Sequence, residues 1–85
     1  MPLIARLTDT STHGGEIITA AQKWRCEGLP IARKTDILNC PIHGENPIIE
    51  GSAIHSCEDR PIARHGDRTE CGAQLISGAQ KWVCD

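Results

Sequence analysis

The chain repeats itself three times, and no other feature limits its fold as strongly. Pro2-Leu3-Ile4-Ala5-Arg6, followed by Thr8-Asp9, returns as Pro30-Ile31-Ala32-Arg33 with Thr35-Asp36. It returns again as Pro61-Ile62-Ala63-Arg64 with Gly66-Asp67. A second set of matched segments follows the first, aligned without gaps: Glu16 to Cys26, Pro47 to Cys57 and Gln74 to Cys84. Ala-Gln-Lys-Trp-x-Cys occurs in both outer copies. The copies run over about 2–28, 29–59 and 60–85 of a single domain. A unit this short cannot bury an apolar face alone, so the copies must pack on one another.

Each copy reads as strand, turn, strand and tight connection. The x-Ile-Ala-Arg segments are short strands ended by Asp-containing turns. In the longer segments, one alternating face carries Ile18, Ala20, Gln22, Trp24 and Cys26. Its counterparts are Ile49, Gly51, Ala53, His55 and Cys57, then Ile76, Gly78, Gln80, Trp82 and Cys84. The opposite face is more polar, with Thr19, Lys23, Arg25, Glu50, Ser52 and Ser56. A period of two with one apolar face predicts half-buried strands with the first face inward. The small Ala20/Gly51/Gly78 level predicts close approach between copies. No segment has a helical period, so the expected class is all-β, with three strand-turn-strand units around a shared axis.

Eighty-five residues form a small domain, of a size that usually needs a staple such as a metal ion. With no Phe or Tyr and only two Trp, the core must be Ile, Leu, Val and Ala. A net charge of −2 and the absence of a basic run with interleaved aromatics argue against nucleic acid. The N-terminus lacks the pattern of a secretory signal, and no apolar stretch approaches the roughly 20 residues of a membrane helix. Five Cys without such a signal predict reduced thiols or metal ligands in a chain made in the cytosol.

The turns carry the chemistry. His13, Cys40 and Cys71 each lie four residues after a repeated Asp, namely Asp9, Asp36 and Asp67. Cys40-Pro41-Ile42-His43 adds a fourth ligand type in the same turn as the second. Two Cys and two His suffice for a closed tetrahedral zinc site, which is structural because a catalytic zinc needs an open position. The second copy's extra residues, Pro41 to Glu45, supply one longer turn to close the apex. The Asp side chains are expected to bond turn backbone. Arg6, Arg33 and Arg64 recur with them as exposed ion pairs of about 0–1 kcal/mol each.

The remaining candidates read as structure. His65, at the position of Leu7 and Lys34, is expected on the surface. His55 aligns with Trp24 and Trp82 and is expected to be packed and partly buried. Cys26, Cys57 and Cys84 occupy one equivalent position. They could form a three-thiolate metal site, but the favoured reading is three buried thiols meeting on the axis. No base or pocket accompanies a Cys nucleophile, so no catalytic residue is predicted.

The Pro-Ile-Ala-Arg repeats, the His-Gly turns, Cys40-Pro41-Ile42-His43-Gly44 and Glu70-Cys71-Gly72-Ala73 resemble a PAAR-repeat protein. That family is named for a Pro-Ala-Ala-Arg motif, degenerate here with Ile in place of the first Ala. The resemblance covers essentially the whole chain. It implies a small, sharp β-structured cone that binds one zinc ion near its point. It also implies a tip that caps the trimeric VgrG spike of the type VI secretion machine and helps it puncture a target envelope. Effector docking, and export from the bacterial cytoplasm by that machine, are implied with it. The chain would be a monomeric, stand-alone tip with its wide end on the spike, meeting membrane only during puncture. The family's usual zinc set is three His and one Cys. The matching positions here are His13, Cys40, His43 and Cys71, so either a Cys replaces a His or one of the four is not a ligand.

The competing classes are a zinc-stapled module that binds a cytosolic protein, and a thiol-redox or metal-handling protein suggested by the five Cys. An enzyme is not expected, since no nucleophile is paired with an oriented base.

Overall fold

The computed structural model describes residues 2–83, and among these there is no helix. The molecule measures 29 × 23 × 23 Å. Its organising feature is a closed ring of three backbone hydrogen bonds. Ala5 N–H donates to Ala63 O, Ala63 N–H to Ala32 O, and Ala32 N–H to Ala5 O, each at 3.0 Å. Bridges Ile4↔Arg64, Arg6↔Ile31 and Arg33↔Ile62 repeat the same relation. The three alanines are fully buried where the copies converge. A larger side chain there would meet its own counterparts, which explains why each copy repeats Ala.

The strands are short: β1 Thr10–Ser11, β2 Glu16–Ile17, β3 Arg25–Cys26, β4 Leu29–Pro30, β5 Ile37–Cys40, β6 Gly44–Pro47, β7 Ser56–Cys57, β8 Arg60–Pro61 and β9 Leu75–Ile76. All pairings are antiparallel. β1 joins β9, β2 joins β5 and β5 joins β6. The hairpins β3–β4 and β7–β8 complete the set. The segment after each Asp therefore pairs with the copy before it: β1 with β9, β5 with β2, and Thr69 with Ile48. The threefold arrangement is closed by these pairings. The longer turn of the second copy is the β5–β6 hairpin.

The predicted inward face is corrected. Ile17, Ile48 and Leu75 are at most 1 % exposed, whereas Ile18, Ile49 and Ile76 are exposed. Ala21, Ser52 and Ala79 are buried, and Trp24 and Trp82 are exposed at 59 % and 50 %. The long segments are not continuous strands. Each begins as a strand at residues 16–17 or 75–76, or as the Ile48 bridge, and the chain then bends. In the first two copies it resumes as β3 or β7, and the bend reverses the alternation, so Cys26 and Cys57 still face inward. Cys84 lies outside the described residues. The close approach at the small positions does occur. A Cβ on Gly51 would lie 2.8 Å from Pro61 Cβ, and one on Gly78 would lie 2.6 Å from Arg6 Nη2.

Two apolar clusters result. One holds Ala5, Ile17, Ala32, Leu38, Cys40, Ile48, Ala63, Ala73 and Leu75, with Cys71 packed against it. The other holds Ile4, Ala21, Cys26, Ile31, Cys57, Ile62 and Ala79, and forms the end away from the ligand turns. Hairpins β3–β4 and β7–β8 turn at that end through left-handed pairs, Glu27–Gly28 and Glu58–Asp59. Such two-residue turns match the twist of paired strands. Their glutamates reach into neighbouring copies. Glu27 accepts the N–H groups of Gln80, Lys81 and Trp82, and Glu58 those of Gln22 and Lys23.

The Arg–Asp pairs are also corrected, because they are not exposed. Asp9, Asp36 and Asp67 are 7 %, 2 % and 6 % exposed, and Arg6 and Arg33 are buried with them. In each copy Asp Oδ2 accepts the Arg backbone N–H at 2.8 Å and the Arg Nε–H, while Oδ1 accepts from Nη2. Each Asp thus locks the turn Arg-x-x-Asp, as expected from its backbone role. The turn needs a left-handed third residue, which is Thr8 (φ 70°), Thr35 (φ 80°) or Gly66 (φ 91°). The lock gives each inward-pointing guanidinium its carboxylate, and Arg33 also reaches Glu58 while Arg64 reaches the Gly51 carbonyl.

Candidate metal centre

His13 is held by a turn that follows β1. Ser11 Oγ–H donates to Gly14 O, its oxygen accepts the His13 N–H, and Gly14 N–H donates to Ser11 O. Gly14 and Gly15 are both left-handed, and Gly15 lies against the Asn39 carbonyl where a Cβ has no room. Cys40 ends β5 opposite Gly44, which starts β6 with φ 78°. Residues 41–43 form the hairpin tip, so His43 turns back over Cys40. Cys71 sits in the turn 69–73, closed by Gly72 N–H to Thr69 O and Thr69 N–H to Ala73 O.

These turns come from three copies and meet at one end. The ligand atoms of His13, Cys40, His43 and Cys71 all lie within 4.8 Å of one another. Cys40 Sγ is 3.8 Å from His13 Nδ1 and 3.6 Å from His43 Nδ1, and Cys71 Sγ is 3.7 Å from His13 Nδ1. A tetrahedral ion with ordinary Zn–S and Zn–N bonds would place S and N about 3.6 Å apart. The donor spacing therefore fits a four-coordinate ion. Cys40 is buried, His13 and Cys71 are half-buried, and His43 is exposed. Burial alone would push the Cys71 thiol up. Its contacts with Thr69 Oγ1 at 3.2 Å, the Ala73 N–H, His13 and Cys40 outweigh this and hold it down at about 6. A thiolate at neutral pH is the form a metal needs.

Two positioning residues escaped the sequence reading. Asn46 is buried, and its Oδ1 accepts the Cys71 N–H at 3.1 Å while its Nδ2 donates to Gly44 O at 3.0 Å. It ties the turn of the third copy to the hairpin of the second. Thr69, fully buried, sets its hydroxyl against Cys71 Sγ. The repeat held a signal for it, since Ser11 lies two residues before His13 just as Thr69 lies two before Cys71. Asn46 has no such counterpart.

The other histidines stay apart from the cluster. His65 is exposed as expected, and its Nδ1 accepts the Ser77 N–H at 3.0 Å. His55 is exposed, not packed, because its position turns outward with Trp24 and Trp82. Cys26 and Cys57 are buried in the far cluster, and burial pushes both thiols up, which suits packing. The third thiol of that level, Cys84, lies outside the described residues.

The PAAR motif family model matches residues 7–77. A search of curated proteins found no match to the chain. The matched span takes in the locked Arg33 and Arg64 turns, all nine strands and the four ligand positions. The chain belongs to the PAAR-motif family.

Proposed function

We propose that the protein is a structural spike tip, closed at its point by one zinc ion and seated on the trimeric VgrG spike of a type VI secretion system. One observation carries the reading: three unequal copies close into a ring with a two-sulfur, two-nitrogen cluster at a single end. A pseudo-threefold body built from one chain suits the end of a threefold partner. The mixed donor set favours zinc among common ions. When bound, the ion supplies a cross-link among turns that are too short to form a core. His13 and Cys71 bring in the first and third copies, and Cys40 and His43 bring in the second. Family membership supports a structural role over an enzymatic one.

The end away from the ligands suits docking. It exposes Trp24, Ile54 and Trp82 together with Lys23 and Lys81. Exposed Trp residues of this kind supply much of the binding energy in protein interfaces. Effector docking and delivery out of the producing cell belong to the same proposal. The test is to mix the purified protein with its cognate spike trimer and weigh the complex. One tip per trimer is expected, weakened at least tenfold by Trp24→Ala with Trp82→Ala. No binding at micromolar concentration would reject the reading.

A further inference from the structure

We propose that Cys40 and Cys71 form a peroxide-oxidisable pair, whose disulfide replaces the metal as the link between the second and third copies. The inference rests on the metal-centre reading. Both sulfurs lie against His13 Nδ1 and within 4.8 Å of each other. They sit on different turns, Cys40 at the end of β5 and Cys71 in the turn 69–73. A small approach of the two turns brings the sulfurs to the bonding distance of about 2.05 Å. Their exposure differs in a useful way. Cys71 is half-buried beside the exposed His43, whereas Cys40 is only 1 % exposed. A small oxidant therefore reaches Cys71 first, and Cys40 waits behind it.

The chemistry balances. The Cys71 thiolate attacks the O–O bond of hydrogen peroxide, an S–O bond forms and hydroxide leaves, giving a sulfenic acid. The Cys40 thiolate then attacks that sulfur, the S–S bond forms and a second hydroxide leaves. The two sulfurs lose two electrons and the peroxide gains them. A bound divalent ion would lose the Cys40 and Cys71 thiolates, two of its four donors, and with them its hold on the site. Outside its own copy His13 then keeps only its ring contact with His43, and the first copy's turn is held by β1–β9 pairing, the Thr12–Gln74 hydrogen bonds and its own Thr10 and Ser11 bonds. Loosening should be confined to residues 10–15. Cys26 and Cys57 lie in the separate far cluster and remain thiols.

The experiment titrates the zinc-loaded full chain with hydrogen peroxide. It follows released zinc with a chromogenic chelator, maps disulfides in a non-reducing digest and measures amide exchange. The expected result is one zinc released per chain, a Cys40–Cys71 peptide and faster exchange in residues 10–15, all reversed by a dithiol reductant with added zinc. In Cys40→Ser, a sulfenic acid on Cys71 should accumulate and be trapped by a 1,3-diketone. Zinc retained with both thiols free in millimolar peroxide would overturn the proposal, as would Cys71 ending as a sulfinate or bonded to a different cysteine. Zinc content before peroxide separates the two readings. No ion at that stage overturns the metal centre and this proposal together, whereas an ion that survives peroxide overturns the proposal alone.

Discussion

Replacing Asp36 by Asn tests the buried Arg–Asp locks where they are strongest. Asp36 Oδ2 accepts the Arg33 N–H at 2.8 Å and Nε–H at 2.9 Å. Its Oδ1 accepts Arg33 Nη2 at 3.1 Å and the Thr19 hydroxyl at 2.9 Å, and Arg60 Nη1 lies 3.7 Å away. An amide keeps only one acceptor. Whichever way it turns, its NH2 group faces a donor of Arg33, whose side chain is 10 % exposed. Breaking one member of a buried pair costs about 3–5 kcal/mol. A domain of 85 residues has roughly 4–13 kcal/mol in total, so the loss is a large share of it. With an m-value of about 1 kcal/mol per molar urea, the midpoint should fall by about 3–5 M. Asp9→Asn should cost less because Asp9 lacks the Thr19 and Arg60 partners, and Asp67→Asn least because the Arg64 side chain is 22 % exposed. A loss below about 1 kcal/mol at Asp36, the value of an exposed pair, would refute the argument.

Four further outcomes follow from the same structure. Thr35→Gly should raise stability by about 0.5–1 kcal/mol in urea, because an exposed β-branched residue is held at φ 80°. Gly66→Thr, at φ 91° with no neighbour near its Cβ, should lower stability by about 0.5–1 kcal/mol. Backbone N–H donors, Lys81 foremost for Glu27 and Lys23 for Glu58, hold both carboxyls below their ordinary value. Their contribution is present above the unfolded carboxyl range near pH 4.3 and fades as pH falls through the folded values. Urea midpoints of chelator-treated protein should therefore drop less steeply with acid in Glu27→Gln/Glu58→Gln. Asn46→Ala should weaken zinc binding by about 10–100-fold in a chelator competition, because Cys71 loses the acceptor that orients its turn.

Much of the site is visible in the chain because the copies repeat the residues that matter. Identical spacing from Asp to His13, Cys40 and Cys71 marks positions that a closed ring must bring together. The longer second turn is visible as an insertion, and it is the β5–β6 hairpin. The inward face is not visible, because alternation predicts a face only along a continuous strand. Here Ile17 points inward on a strand of two residues, and a bend resets the pattern before Cys26. The burial of Arg33 and Asp36 is hidden for another reason. Charged residues read as surface until the fold supplies every donor with an acceptor, and in the described residues no buried side-chain nitrogen or oxygen lacks a partner. Asn46 is hidden because only the ring brings it to Cys71, 25 positions away.

X-ray absorption at the zinc edge of the metal-loaded protein tests the central claim most directly. Two sulfurs at about 2.3 Å and two nitrogens at about 2.0–2.1 Å are expected from Cys40, Cys71, His13 and His43. Replacing Cys71 by Ser should remove one sulfur from that shell. A shell with one sulfur, or with none, would contradict the four-ligand centre that joins the three turns.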